Sequence, residues 1–398
     1  MHDGSISAKR GTLRSNQRSR SILKPLLSPS ERTKCFKLIR GEHWTTEHDG
    51  RTERKVKMAG AHAMPGLFCL ETNYEETARI ILGIRERMND NLRRNKLINT
   101  WGARRIRRKG FYFDFATIDY ISPAAALVFA AEYDRARCFL KSWALKLYNR
   151  PAWKDSVVHK LEQLGFFSLL DFPIAPFRIE EGQLQITRLH QSDSIDQQQA
   201  HGFLAELGRL MGVDDDVNQK IGKLRLYEAI VEATENVTTH AYDPSPPRDE
   251  FVVKRWWMTG AVDRGEGRLT IVVYDQGATI PARLPDSLLW HEKLQRFSKR
   301  LFGTAEGVRS SENDGKLLRL AMTKPASSTK KAHRGKGLGV LKSVAEQCVQ
   351  GRLLVISRNG EYVYKSGHRP MYRQLVVPFY GTLIQWDLWQ PEWKLLHE

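Results

Sequence analysis

The feature that most limits how this chain can fold is an alternation that runs through it twice. Short apolar, strand-like runs alternate with segments of helical periodicity over residues 62–183, and a second such pattern covers 184–398. In the first stretch, an apolar run at 67–70 precedes a helical pattern over 75–95, where Ile80, Ile81, Ile84 and Met88 recur at helical spacing. FYFDFATI at 111–118 precedes a small-residue helix from Pro123 to Arg137. An apolar strand at 144–148 then precedes a helix over 157–164, with Gly165 as its stop signal. This order predicts a parallel sheet with crossover helices, an α/β unit.

Residues 172–184 carry two prolines and little periodicity, which places a boundary near residue 183. Beyond it the pattern predicts helices at 196–211 and 218–241 and strands at 251–258 and 268–275. A long polar segment follows, then a helix at 337–348 and strands at 352–357, 361–365 and 381–388. Several of these strands follow one another without a helix between them. The prediction is an α+β layer arrangement, a mixed sheet with helices on one face. Each stretch is long enough to bury a core of its own.

Residues 1–61 read as a largely disordered leader, with no sustained apolar periodicity and with Pro25, Pro29 and several glycines. The formal net charge of the chain is +18, and residues 1–57 hold 14 Lys and Arg against 6 Asp and Glu. Such a field attracts polyanions, so this arm is either a solvated tail or a contact for nucleic acid. No apolar run reaches the roughly 18–20 residues needed to cross a bilayer, and the N-terminus has no apolar signal core. A cytoplasmic protein with no membrane contact is expected. Cys35, Cys69, Cys138 and Cys348 lie too far apart for a zinc finger or a disulfide framework.

The helix LRLYEAIVEATENVTTHAY holds the most informative spacing. Glu232, Asn236 and His240 recur at i, i+4 and i+8 and form one polar stripe, with Leu224, Ile230, Val231 and Val237 on other sides. The stripe reads either as solvated surface or as a pocket edge. In a pocket, the carboxylate of Glu232 can accept a proton from an attacking hydroxyl. The amide oxygen of Asn236 is a hard neutral ligand suited to Mg²⁺, which binds few protein groups and keeps waters and phosphates.

Downstream, LTIVVYDQGATIP is an apolar strand ending in Asp275, with Gly277 in the turn and Pro281 after it. A carboxylate placed there can accept a hydrogen bond from an exocyclic amine such as that of adenine. HRGKGLGVLKSVAEQ then sets Gly335, Gly337 and Gly339 directly before an amphipathic helix, among Lys330, Lys331, Arg334 and Lys336. Glycines let backbone approach a polyphosphate, and a helix N-terminus offers unpaired N–H groups. Gly381 and Thr382 open a late strand, GTLIQWDL.

In this order, the four motifs resemble the Bergerat-type ATP site of the GHKL superfamily, and the similarity covers roughly 184–398. Glu232 and Asn236 match its E-x-x-x-N helix, and His240–Tyr242 is most similar to the anti-sigma-factor serine kinase branch. The resemblance implies ATP and Mg²⁺ as cofactors, Glu232 as general base and Asn236 as metal ligand. It implies Asp275 as the adenine reader with Gly277 beside it. Lys330, Arg334, Gly335, Lys336, Gly337 and Gly339 would lie on the phosphate side, with Thr382 assisting the adenine. One position departs from the D-x-G-x-G box: Thr279 stands at its second glycine. Residues 282–334, long and basic, correspond to the family's mobile lid.

In the first half, DFATIDYISPAAALVFAAEYDRA and LEQLGFFSLLDF resemble a STAS-like domain, the anti-sigma-factor-antagonist fold, over 62–183. Antagonists that are phosphorylated carry a serine at the start of this helix. Here Pro123 holds that place and Ser122 precedes it, which equally suits Ser122 as a helix N-cap. His291-Glu292-Lys293 imitates a kinase acceptor helix but falls inside the lid, after the Asn motif. No P-loop motif occurs. Trp386, Trp389 and Trp393 read as a partner anchor or as packing on the sheet. The expected function is an ATP-Mg²⁺-binding regulator, either an ATP-driven conformational switch or a serine/threonine kinase of a partner protein. A homodimer is the other association these readings allow. The alternative is a nucleic-acid-associated ATPase of the same superfamily.

Overall fold

The computed structural model describes residues 37–48, 52–101, 111–140, 146–172, 177, 183–194, 197–212, 225–242, 251–286, 306–323 and 338–393. It is a mixed α/β protein with two principal sheets. The first half begins with β1 (Lys37–His48) and β2 (Glu53–Ala63), an antiparallel hairpin. It is flanked by β4 (Phe111–Asp114), parallel to β2, and by β6 (Leu147–Tyr148), antiparallel to β1. A second, small parallel pair joins β3 (Leu67–Phe68) to β5 (Tyr120–Ile121). Parallel pairing was expected here; the hairpin was not. It corrects the reading of residues 1–61 as a disordered leader, because Lys37–His48 and Glu53–Ala63 are strands. Within it Met58 and Ala61 turn inward against Tyr112, while Arg54 and Lys146 both bind the buried carboxylate of Glu47.

Three helices accompany these strands: α1 (Tyr74–Trp101), α2 (Pro123–Phe139) and α3 (Asp155–Gln163). Ser122 caps α2, its Oγ accepting the N–H of Ala125 at 3.3 Å, and Pro123 occupies the first helical turn. Ser122 is only 2% exposed, so capping is the role its position supports. α2 is buried on every side from Pro123 to Ala136, which explains its run of alanines. Gly165 follows α3 with φ +81°, the left-handed conformation that ends it cheaply.

The second half contains β7 (Gln185–Ile186), β8 (His190–Ser192), β9 (Trp256–Asp263), β10 (Arg268–Asp275), β11 (Gln350–Lys365) and β12 (Met371–Trp389). The strand order is β11-β12-β10-β9-β7, with β8 also on β9. Among the described residues every pairing in this sheet is antiparallel, which corrects the expected mixed sheet. Two hairpins, β9–β10 and β11–β12, account for it. The runs 352–357 and 361–365 are one strand, broken in register near Arg358.

One face of this sheet is covered by α4 (Gln197–Met211), α5 (Leu226–Asn236), α6 (Asp314–Thr323) and α7 (Gly339–Glu346). The other face is also covered, and this corrects the expectation of helices on one face. α1 and α2, from the first half, pack there on Trp257, Tyr274, Ile356 and Leu383. β9 and β10 are therefore buried along almost their whole length, as their near-continuous apolar sequence requires. The boundary near residue 183 separates sheets, not cores. α6 falls inside 282–334, so part of the segment matched to a lid is a packed helix. Its Asp314 is held by Arg358 and by the N–H of Asn359, and Leu317 and Leu318 are fully buried. Trp386 donates from Nε1 to the Leu341 carbonyl at 2.8 Å, and Trp393 is buried, which supports the packing reading of that cluster.

Between the two halves lies a buried polar cluster centred on Glu132 of α2. Its Oε1 accepts from Arg85 at 2.6 Å and from the side chain of Gln276 at 2.9 Å. Its Oε2 accepts from Arg135 at 3.0 and 3.1 Å. Removing a partner from a buried pair leaves an uncompensated charge. Glu132→Ala is therefore expected to cost about 3–5 kcal/mol in urea-induced unfolding. Calorimetry of the full chain should show one cooperative transition; two separable transitions would mean that the halves hold independent cores.

Candidate functional site

The strands bring three of the sequence motifs together. In register, Asp275 of β10 lies opposite Thr382 of β12, and Thr382 lies opposite Ser357 of β11. Side chains alternate along a strand, and Ile271 and Val273 of β10, Ile384 of β12 and Val355 of β11 face the α4–α7 layer. Asp275, Thr382 and Ser357 thus form a polar row on that same face, running from the end of β10 across the middle of β12 and β11. The hydroxyls of Ser357 and Thr382 are hydrogen-bonded at 2.9 Å, and Ser357 Oγ also accepts the N–H of Ile280 at 3.0 Å. Ser357 was not among the residues the sequence singled out. Its only signal was a small polar side chain late in the apolar run LLVIS, and only the register makes that meaningful.

Asp275 is 4% exposed. Among the described residues its one hydrogen-bond donor is the backbone N–H of Gly277, at 2.8 Å. Burial pushes its carboxyl up to about 7, and the Gly277 bond opposes this only in part. Two glycines shape the surroundings. A Cβ on Gly277 would meet Ala241 Cβ at 2.5 Å, and one on Gly381 would meet the Asp275 carbonyl oxygen at 1.8 Å. Gly381 also has φ +86°. Gly277 is thus required by close approach and Gly381 by both approach and conformation. Thr279, at the departure from the expected glycine, has φ −76°, which any residue adopts, so the turn tolerates it.

The same turn docks on the end of the Glu232 helix. The N–H of Ala278 donates to the Ala241 carbonyl at 2.7 Å. The N–H of Gln276 donates to the Tyr242 hydroxyl at 3.1 Å, which itself donates to the Arg255 carbonyl at 2.7 Å. α5 widens after Asn236 into one π-helical turn, Val237–Ala241, a winding that recurs at functional sites. This shifts His240 off strict i+8 spacing. It is exposed.

Glu232 and Asn236 are half-buried and in contact. Asn236 Nδ2 donates to the Glu232 carbonyl at 2.8 Å and to its Oε1 at 3.1 Å. With the amide nitrogen so engaged, Oδ1 is the atom of Asn236 left to serve as a ligand. Burial raises the Glu232 carboxyl above its usual range, with the Asn236 bond acting against it. A carboxylate held this way is a better proton acceptor than one in water. Among the described residues no group of three or more His, Cys, Asp or Glu is arranged to hold a metal. An Mg²⁺ here would rest on Asn236, waters and phosphates, the pattern that ion favours.

Gly339 begins α7, and no atom lies within 4 Å of where its Cβ would be. Among the described residues no side chain caps this helix. Lys330, Arg334, Gly335, Lys336 and Gly337 lie outside the described residues, as does His291-Glu292-Lys293. No helix among the described residues is long and apolar enough to cross a membrane. The chain matches no protein-family model, no curated protein and no solved structure.

The raised carboxyl of Asp275 sets a pH dependence. Between its unfolded value near 4 and its folded value of about 7, the folded state holds a proton that the unfolded state has released. Its contribution to stability is therefore greatest below the unfolded value and declines as pH rises to 7, by about 4 kcal/mol in all. Asp275→Asn removes this slope. In urea titrations at pH 8 the variant should be more stable than the wild type, with the gap closing as pH falls from 7 to 4. A gap that stays constant with pH would show that Asp275 has no raised carboxyl.

Proposed function

We propose that this chain is an ATP-Mg²⁺-binding regulator with a Bergerat-type site, in which the bound nucleotide drives a conformational switch. The observation that carries this reading is Asp275. A buried carboxylate with a single backbone donor is costly unless a ligand supplies a further donor. An exocyclic amine is such a donor, and the Ser357–Thr382 pair beside it offers hydroxyls that accept as well as donate. The Bergerat arrangement for 184–398 and the STAS-like assignment for 62–183 belong to the same proposal.

The residues divide the work by position. Asp275 accepts the hydrogen bond of the adenine amine, and Thr382, oriented by Ser357, supports the same ring. The N-terminal end of α7 at Gly339 faces the phosphates, where its N–H groups and dipole favour negative charge. Asn236 Oδ1 would hold Mg²⁺, whose charge would offset that of the phosphates. Glu232 takes the proton of the attacking hydroxyl. If that hydroxyl belongs to water the outcome is a switch reset by hydrolysis; if it belongs to a partner's serine or threonine the protein is a kinase. Ser122 is no substrate in cis while it is buried as a helix cap. A switch is favoured because the strand ends bearing Asp275 are tied, through Gln276 and Glu132, to α2 of the first half. A partner protein or a second copy would read that change.

Incubation of the full chain with γ-labelled ATP and Mg²⁺, with and without proteins encoded beside it, separates the two outcomes. Free phosphate without labelled protein is expected for the switch, and label on a partner's serine or threonine for the kinase. Glu232→Gln should keep nucleotide binding while turnover falls roughly 10²–10⁴-fold. Asn236→Ala should weaken binding only where Mg²⁺ is present. Asp275→Asn should lose roughly tenfold or more in ATP affinity. Three variants that bind and turn over as the wild type does would overturn the assignment.

A further inference from the structure

β12 outruns its neighbour β10. The ladder between them ends where Asp275 pairs with Thr382, so residues 371–381 of β12 have β11 on one side and, among the described residues, no strand on the other. Such an edge presents main-chain N–H and C=O groups to any extended chain, and folded proteins ordinarily blunt it with charges, prolines or a covering element. Here the blunting is slight. Pro378 stands near one end, and the one charged residue in 371–377, Arg373, is spent on Glu361 through hydrogen bonds of 2.7 and 2.8 Å. Val376 is 73% exposed, Met371 58% and Tyr372 39%. Three large apolar side chains within six residues of an unpaired strand mark a surface that associates.

A groove of about 440 Å³ opens between this strand and the start of α1, lined by residues 71–76 and 373–376. Its two walls are tied together where the Tyr74 hydroxyl donates to the Val377 carbonyl at 2.9 Å. The α1 wall is acidic. Glu75 reaches Arg79 at 3.6 Å, but Glu71 and Glu76 form no ion pair among the described residues. Glu71 accepts from the Cys69 thiol and Glu76 from the Asn73 side chain, each at 2.9 Å, and both donors are neutral. The one cation in the opposite wall, Arg373, is already neutralised by Glu361. In a chain of net charge +18 this groove is a local reversal of sign.

The unpaired edge offers main-chain hydrogen bonds, Val376 offers apolar contact, and the acidic wall selects for positive charge. We infer that an extended basic segment of a partner protein adds a strand to the free edge of β12, with its Lys or Arg side chains on the groove side lying against Glu71 and Glu76. Main-chain pairing supplies affinity in such strand addition, and alternate side chains supply specificity. Charge decides between occupants. A second copy of this chain paired at the same edge would bring another acidic wall, not the cations that Glu71 and Glu76 lack. A nucleic acid would be repelled by the same carboxylates. The inference does not depend on nucleotide binding.

Calorimetric titration of the full chain at fixed ionic strength tests it, with three blocked hexapeptides as probes. One alternates lysine and valine, one alternates glutamate and valine, and the third is the lysine–valine peptide N-methylated at every residue. Saturable binding of the lysine–valine peptide is expected, with hydrogen exchange slowed at backbone amides within 371–377. The glutamate–valine peptide should not bind. N-methylation, which removes the peptide's main-chain donors, should weaken binding roughly tenfold or more. Glu71→Gln with Glu76→Gln keeps acceptors for Cys69 and Asn73 and should weaken the lysine–valine peptide about three- to tenfold. No binding of that peptide overturns the inference. So does equal binding of either other peptide, unchanged exchange over 371–377, or undiminished binding by the double variant. Self-association of the chain that protects the same amides without peptide would give the edge to a second copy and also overturn it.

Discussion

Glu132 is the constraint on which the joining of the two halves depends. At 1% exposure its carboxylate has lost its water. The loss is offset by donors from three directions: Arg85 of α1, Arg135 one turn along α2, and Gln276 at the end of β10. Arg135 in turn donates to Asn89 and to the Phe251 carbonyl. Asp134, the residue before Arg135, accepts from Arg255 and from the indole of Trp257. Such a cluster adds little stability over a well-packed apolar one, but it is sharply intolerant of displacement, because any shift strands a buried charge. It thus fixes where α1 and α2 sit on the sheet, and apolar packing around Trp257 and Tyr274 supplies the bulk of the attraction.

That register has consequences at the strand ends. Gln276 is the residue after Asp275, and Arg85 lies over the Tyr380 ring at 3.3 Å from its centroid, one residue before Gly381. The Tyr380 carbonyl accepts from the Tyr274 hydroxyl at 2.9 Å. The end of β10 and the middle of β12, which carry Asp275 and Thr382, are therefore both held from behind by the first half. The proposed switch needs a physical connection of this kind, since a ligand can shift an arrangement only by contacting elements that differ between its states.

Much of this was legible in the sequence, and the failures have physical causes. β10 runs over the residues its apolar pattern marked, Arg268–Asp275, and Ser122, Pro123 and Gly165 punctuate α2 and α3 as local chemistry dictates. The motif glycines were legible too, because Gly277 and Gly381 are required by approaches under 3 Å. β1 and β2 were not. Their exposed faces carry the charges that made the segment read as a leader, and few side chains turn inward. Coverage of the second face was hidden because it depends on helices more than 100 residues away in sequence. The π-turn after Asn236 has no periodicity of its own. Ser357 acquires meaning only through register with Thr382.

Two buried carboxylates, Glu132 and Asp275, differ sharply in the donors that meet them. Glu132 and Asp275 are served by consecutive positions, Gln276 and the strand end before it, on opposite faces of one sheet. Glu132 meets four side-chain N–H groups, from Arg85, Arg135 and Gln276. Asp275, no less enclosed, meets one backbone N–H, and its carboxyl rises to about 7. A fold that can gather arginines and an amide around one acid does not leave the other short for lack of donors. An asparagine at 275 would remove the penalty while still accepting from Gly277. What it would lose is a charged acceptor, to which a donor bonds with roughly twice the strength of a neutral one. Under the proposed function, stability given up at this carboxylate would be recovered when a ligand donor arrives, which would link binding and stability at this position.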